Sequence, residues 1–175
     1  MGRIVRIPAP QCYARSLDGG ACFDGSGAYR YRLWREWDRT LPAVTFVMLN
    51  PSAAGAETND PTIRRCIGFA RSWGFGRIEV VNLCGFRASS PRALSAANDP
   101  QGAENRSHLE TAVEQADFLV AAWGNQGRRI PRPPMGEKTY HLGLTRLGEP
   151  RHPLYLRAET TPSPWIAQQP GAGTR

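Results

Sequence analysis

Several polar residues stand where a chain can hold them rigidly. Asn50 follows the apolar run Ala43-Val44-Thr45-Phe46-Val47-Met48-Leu49 and precedes Pro51-Ser52. An amide both donates and accepts, so Asn50 can orient a water molecule, with Pro51 fixing the turn behind it. The plain alternative is that Asn50 only closes an N-P turn. Asn82 ends a second apolar run, Val80-Val81. There its donor and acceptor can match a pyrimidine edge, or it can simply bond its own backbone. His152 lies between two prolines in Pro150-Arg151-His152-Pro153-Leu154-Tyr155 and can donate to a leaving-group oxygen. A lone surface histidine is the alternative. Asp60 is the rival acidic group, although Asp60-Pro61 reads better as a helix cap followed by Pro at the first helical position. Arg64 and Arg65 open that helix at an end that attracts anions, or else form its solvated face. Arg87 follows the second run, and Arg151 adjoins His152.

The elements that must position these groups follow from periodicity. The run ending at Leu49 is continuous enough for a strand covered on both faces. From Thr62 to Trp73 the residues Ile63, Cys66, Ile67, Phe69, Ala70 and Trp73 recur at helical spacing, and Gly74 stops the helix. A strand is predicted over 77–83, a polar helix over 101–114, and a third buried strand over Phe118–Trp123, ended by Gly124 and followed by the amides Asn125 and Gln126. Tyr29–Trp34 alternates aromatic and charged residues, as a half-buried edge strand does, and 139–144 reads as a fourth strand after a Pro- and Gly-rich stretch. Strand, helix, strand, helix, strand predicts an α/β protein, a three-layer α/β/α sandwich with a mainly parallel central sheet. Ligands collect at the carboxyl ends of such strands, which points to the loops after Leu49, Val81 and Trp123. The expected organisation is a loop-rich extension over 1–28, one α/β domain over 29–161 and a flexible tail over 162–175.

Composition narrows the partners. The 175 residues suit one domain. Net charge is +7, and all of the 22 cations but Lys138 are arginines, whose planar fork suits phosphate. A polyanionic partner is therefore permitted, although scattered arginines can also reflect genome composition alone. Cys12, Cys22, Cys66 and Cys84 form no C-x-x-C pair, and the histidines are His108, His141 and His152. A metal site, a disulfide framework and a cofactor are not expected, and Cys66 and Cys84 read as buried thiols. No apolar run approaches the roughly 20 residues of a membrane span, and the first residues have no signal-like apolar core. A cytoplasmic location without a membrane partner is expected.

The stretch from Tyr29 to Trp165 resembles an uncharacterised bacterial family of unknown function marked by M-L-N-P-S, D-P-T-I-R-R-C, W-G, V-N-L and P-R-H-P-L-Y. These are Met48–Ser52, Asp60–Cys66, Trp73-Gly74, Val81–Leu83 and Pro150–Tyr155. The order of blocks also resembles the uracil-DNA glycosylase superfamily. Asn50 matches the Asn of its G-I-N-P-G motif, which positions the attacking water. Val80-Val81-Asn82 is similar to the L-L-N strand end that reads the pyrimidine, and Arg151-His152-Pro153-Leu154 to the H-P-S-P loop pressed on DNA. Met48, Ser52 and Leu154 depart from the motif residues Gly, Gly and Ser. No stacking aromatic is singled out among Phe69, Phe75 and Phe86.

That resemblance implies a uracil-DNA-glycosylase-like fold and DNA as partner. It also implies hydrolysis of the N-glycosidic bond of a flipped base, with a role in DNA repair. Asn50 would hold water, His152 or nearby N–H groups would stabilise the departing base, and Leu154 would act as a wedge. Pro51, Ser52 and Asn82 would line the base pocket, and Arg64, Arg65, Arg87 and Arg151 would hold phosphates. The rival readings are an enzyme acting on a free nucleoside or nucleotide, and a non-catalytic nucleic-acid-binding module of the same fold.

Overall fold

The long apolar runs become the middle of one sheet. The computed structural model describes residues 11–16 and 18–165. Its strands are β1 (Gln11–Ser16), β2 (Gly19–Phe23), β3 (Arg30–Glu36), β4 (Ala43–Met48), β5 (Arg77–Asn82), β6 (Leu119–Ala121), β7 (Thr139–His141) and β8 (Ser163–Pro164). Its α-helices are α1 (Pro61–Ser72), α2 (Pro91–Ser95) and α3 (Asn105–Gln115). The strand order is β1-β2-β3-β5-β4-β6-β7-β8. Neighbours among β5, β4, β6 and β7 run parallel. The β1–β2, β2–β3, β3–β5 and β7–β8 pairs are antiparallel. The predicted mainly parallel sheet is therefore corrected to a mixed one, a parallel centre with antiparallel borders.

The two faces of that centre follow the period-2 alternation of strands. Val44, Phe46, Met48, Ile78, Val80 and Val120 pack with Ile63, Cys66, Phe69 and Ala70 of α1. Val47, Val81, Leu119 and Ala121 pack with Leu109 and Ala112 of α3 on the other side. The start of α1 is set by Asp60, whose Oδ1 accepts from Ile63 N at 2.8 Å, with Pro61 in the first turn. Gly74, at φ +85°, reverses the chain after it. α3 begins later than predicted. Asp99 accepts the backbone N–H of Gln101 and of Gly102, and Gly102 takes φ +82°, so this stretch is a turn before the helix.

Other differences share one cause, pairing between distant segments. The predicted loop-rich extension contains the β1–β2 hairpin, and residues 1–10 lie outside the described residues. That hairpin covers the outer side of β3, which is consequently an interior strand and not an edge. Cys12 and Cys22 face each other in register and are joined in a disulfide, where none was expected. Cys66 and Cys84 are free and buried. At the predicted tail, β8 pairs with β7 and Trp165 packs edge-on against Trp123, ring centroids 5.1 Å apart. Residues 166–175 lie outside the described residues. Among the described residues no helix is long and apolar enough to cross a membrane.

Candidate functional site

The parallel strands carry their C-terminal ends to one rim of the sheet, and there the chain opens into a cleft of about 230 Å³. Asn50, Ser52, Asp60, His152 and Leu154 all line it. This is small beside the roughly 300–1,000 Å³ of drug-sized sites and fits a fragment-sized group.

The Asn50 amide is held by the backbone. Its Nδ2 donates to the carbonyls of Pro51 and Ala88, at 2.9 and 2.8 Å. Two acceptors at the nitrogen fix the orientation of the amide, leaving Oδ1 as the atom available to the cleft. Pro51 is buried, and its carbonyl also accepts Ala88 N, so it closes the turn without lining the cleft.

His152 caps the 3₁₀ turn Pro153–Tyr155. Its Nδ1 accepts from Leu154 N at 3.3 Å, which places the proton of the neutral ring on Nε2. Burial pushes its pKa below the ordinary 6.5, against a smaller upward pull from Asp60. The neutral imidazole is thus a donor through Nε2 at physiological pH. The turn packs on α1, where Arg65 donates to the Leu156 carbonyl.

Both Asp60 oxygens are engaged by backbone, Oδ1 as the cap of α1 and Oδ2 at 3.4 Å from Ala54 N. The capping reading accounts for its position, although one face of the carboxylate borders the cleft.

Arg30 is the residue that sequence reasoning passed over. It lines the cleft from the first position of β3, at 2% exposure. Its Nη1 donates to Ala54 O at 2.7 Å, while Nε has no partner. Burial pushes its pKa down to about 10, opposed by Asp60, so it stays cationic at neutral pH.

Asn82 does not join the cleft. In the β4–β5 register Met48 pairs with Asn82, so Asn82 lies level with Met48, two residues short of Asn50. It is fully buried, and neither amide atom has a hydrogen-bond partner among the described residues. The four predicted arginines also lie outside the lining. Arg64 is exposed and donates to Asn59 O, while Arg65 lies over the Phe69 ring. Arg87 donates to Gly27 O at 3.1 Å and lies over Phe23, and Arg151 is exposed. None of Phe69, Phe75 and Phe86 borders the cleft.

Beyond a wall formed by Leu49 and Gln126 lies a wider groove of about 710 Å³, with Leu94 and Ile130 on its apolar side and Arg92 and Arg129 as cations. Neither arginine carries a sequence signal, since their place depends on how the loops after β5 and β6 meet. Among the described residues no group of His, Cys, Asp and Glu could hold a metal ion.

No curated protein and no solved structure matches the chain. One family does, over residues 30–154, a span running from Arg30 to Leu154 and so containing every cleft residue named above. The chain accordingly belongs to the family described as proteins of unknown function, DUF1643.

Proposed function

We propose that this chain is an N-glycosidic hydrolase acting on a pyrimidine-type base turned out of DNA. The observation that carries the reading is the pairing, in one small cleft, of an acceptor fixed by backbone carbonyls (Asn50 Oδ1) with a neutral imidazole donor (His152 Nε2). The uracil-DNA glycosylase resemblance assigns those two positions to water and to the departing base. Water held on Asn50 adds to the sugar carbon as the C–N bond opens. The bonding pair leaves with the base, whose oxygen accepts a hydrogen bond from Nε2, and the water proton passes to solvent. Preorganised donors of this type are worth more in a water-poor site than in bulk water.

Turning the base out costs a few kcal/mol. Leu154 lines the cleft wall and would serve as the wedge, and Tyr155 beside it is 82% exposed and offers a ring for stacking. Arg92 and Arg129 in the adjoining groove suit the phosphates of a flanking nucleotide.

The test uses duplex and single-stranded oligonucleotides carrying varied modified and mismatched bases, scored for abasic sites. We expect release from at least one of them, strongly slowed by Asn50→Ala with DNA affinity retained. DNA binding with no release from any substrate overturns the enzymatic reading in favour of a binding module. Release from free nucleosides alone moves the substrate off DNA.

A further inference from the structure

Two arginines leave the same strand, both buried, and they are bonded very differently. Arg35 satisfies every nitrogen. Its Nε donates to Asn59 Oδ1 at 2.8 Å, its Nη1 to the Trp34 and Gly20 carbonyls, and its Nη2 to those of Gly55 and Thr58. That pattern ties β3 to the loop before α1. Arg30 is buried more deeply, and among the described residues its guanidinium makes one hydrogen bond, from Nη1 to Ala54 O. Its Nε is enclosed and unpartnered.

The charges around Arg30 leave it short of anions. Asp60 attracts it, while Arg35 and Arg87 repel it. Both Asp60 oxygens already serve backbone N–H groups. A buried guanidinium with an idle donor and a positive surplus is costly to maintain unless something in the site answers it. What Arg30 faces is the cleft it shares with Asn50, Ser52 and His152.

We propose that Arg30 makes this cleft an oxyanion site, taking a small ligand whose negatively charged oxygen docks on the guanidinium with His152 Nε2 as second donor. The oxygen belongs to an anionic oxypyrimidine or to a phosphoryl group. The proposal rests on the cleft being the substrate site, and not on which bond is broken there. In the reaction proposed above, the departing base is such an anion.

Barbiturate is an oxypyrimidine that is anionic at neutral pH, and uracil is a neutral ring of similar shape. Calorimetric titration of the full chain with each, and with inorganic phosphate, separates charge from shape. We expect barbiturate to bind at least about tenfold tighter than uracil, or phosphate to bind in its place. Phosphate competing with barbiturate assigns one shared oxyanion position. Binding of only one of the two assigns the oxygen to the base or to the phosphoryl group. Arg30→Gln is expected to erase the anion preference and Arg30→Lys to keep part of it. Because Arg30 is buried and a variant can fail to fold, the wild-type Arg30 Nε–H resonance gives a second reading. It shifts with the anion and not with uracil. Equal affinity for barbiturate and uracil without phosphate binding, no anion binding at all, or a preference that survives Arg30→Gln overturns the proposal. A protein that prefers anions but releases no base loses the glycosidic reading and keeps this one, and the converse outcome does the reverse.

Discussion

Asn50 and Asn82 stand at the ends of adjacent parallel strands, β4 and β5, and their amides meet opposite fates. Asn50 gives both Nδ2 hydrogens to carbonyls and keeps Oδ1 for the cleft. Asn82 is sealed in with neither amide atom bonded, although its carbonyl accepts from the Asn105 side chain at 3.0 Å. The two sequence contexts are nearly alike, an amide after a β-branched or long apolar run. What separates them is register. Backbone pairing continues past Asn82, the last residue of β5, with Leu83 N and Cys84 N donating to Met48 O and Leu49 O, whereas Asn50 lies two residues beyond the end of β4.

The strongest way to break this contrast is at Asn50. Asn50→Ala is expected to lower base release by about 10²–10³-fold, as loss of one preorganised polar group does, with DNA affinity kept. Single-turnover abasic-site formation measures it, and an equal loss in Asn82→Ala would erase the distinction. His152→Gln should cost about 10²-fold by the same assay. The pH profile sharpens that result. Reaction needs the neutral ring, and burial holds the folded pKa below 6.5, so the rate stays level through neutrality and falls only on further acidification.

Stability should follow the same sign. The unfolded chain takes the proton first, so the contribution of His152 is complete above pH 6.5 and declines as pH drops from there toward the folded value. Urea midpoints across that range check it.

Asp60 tests cap against catalyst. Asp60→Ala should cost about 1 kcal/mol, whereas Asp60→Asn keeps the oxygen that caps α1 while turning an NH2 toward Ala54 N, and should cost less than Asp60→Ala with base release near wild type. A dead but stable Asp60→Asn protein would make the carboxylate chemical. The smallest effect is expected at Asn82→Leu. Removing two unanswered polar atoms for a similar volume should be neutral or stabilising by up to about 1 kcal/mol in urea denaturation, with activity unchanged.

Much of the parallel centre was legible because it is written locally. The run to Leu49 and the apolar pattern from Ile63 to Trp73 specify a buried strand and a one-sided helix, and Asp60-Pro61 marks where that helix begins. Asn50, Ser52, Asp60, His152 and Leu154 line one cleft, but the sequence grouped them through a family resemblance and set Asn82 among them, which the sheet register keeps out. The hairpin was not legible. Gln11–Ser16 and Gly19–Phe23 have no long apolar run, and Gly19-Gly20 reads as a turn, although Gly19 lies where a Cβ would meet Trp34 O at 2.9 Å. Arg30 was missed for the same reason. In an alternating strand a charged residue reads as solvent-facing, and its burial depends on a partner strand that no local pattern announces. Arg92 and Arg129 likewise gain meaning only from loops meeting in space.

The hairpin has a bearing on the cleft that its distance in sequence conceals. Phe23 is the register partner of Arg30, and β2 precedes the family-matched span that starts at Arg30. The ribbon that pairs with the first residue of β3 thus sits outside the segment that supplies the polar machinery. The ribbon makes β3 an interior strand, so the cation at its first position does not stand on an open sheet edge.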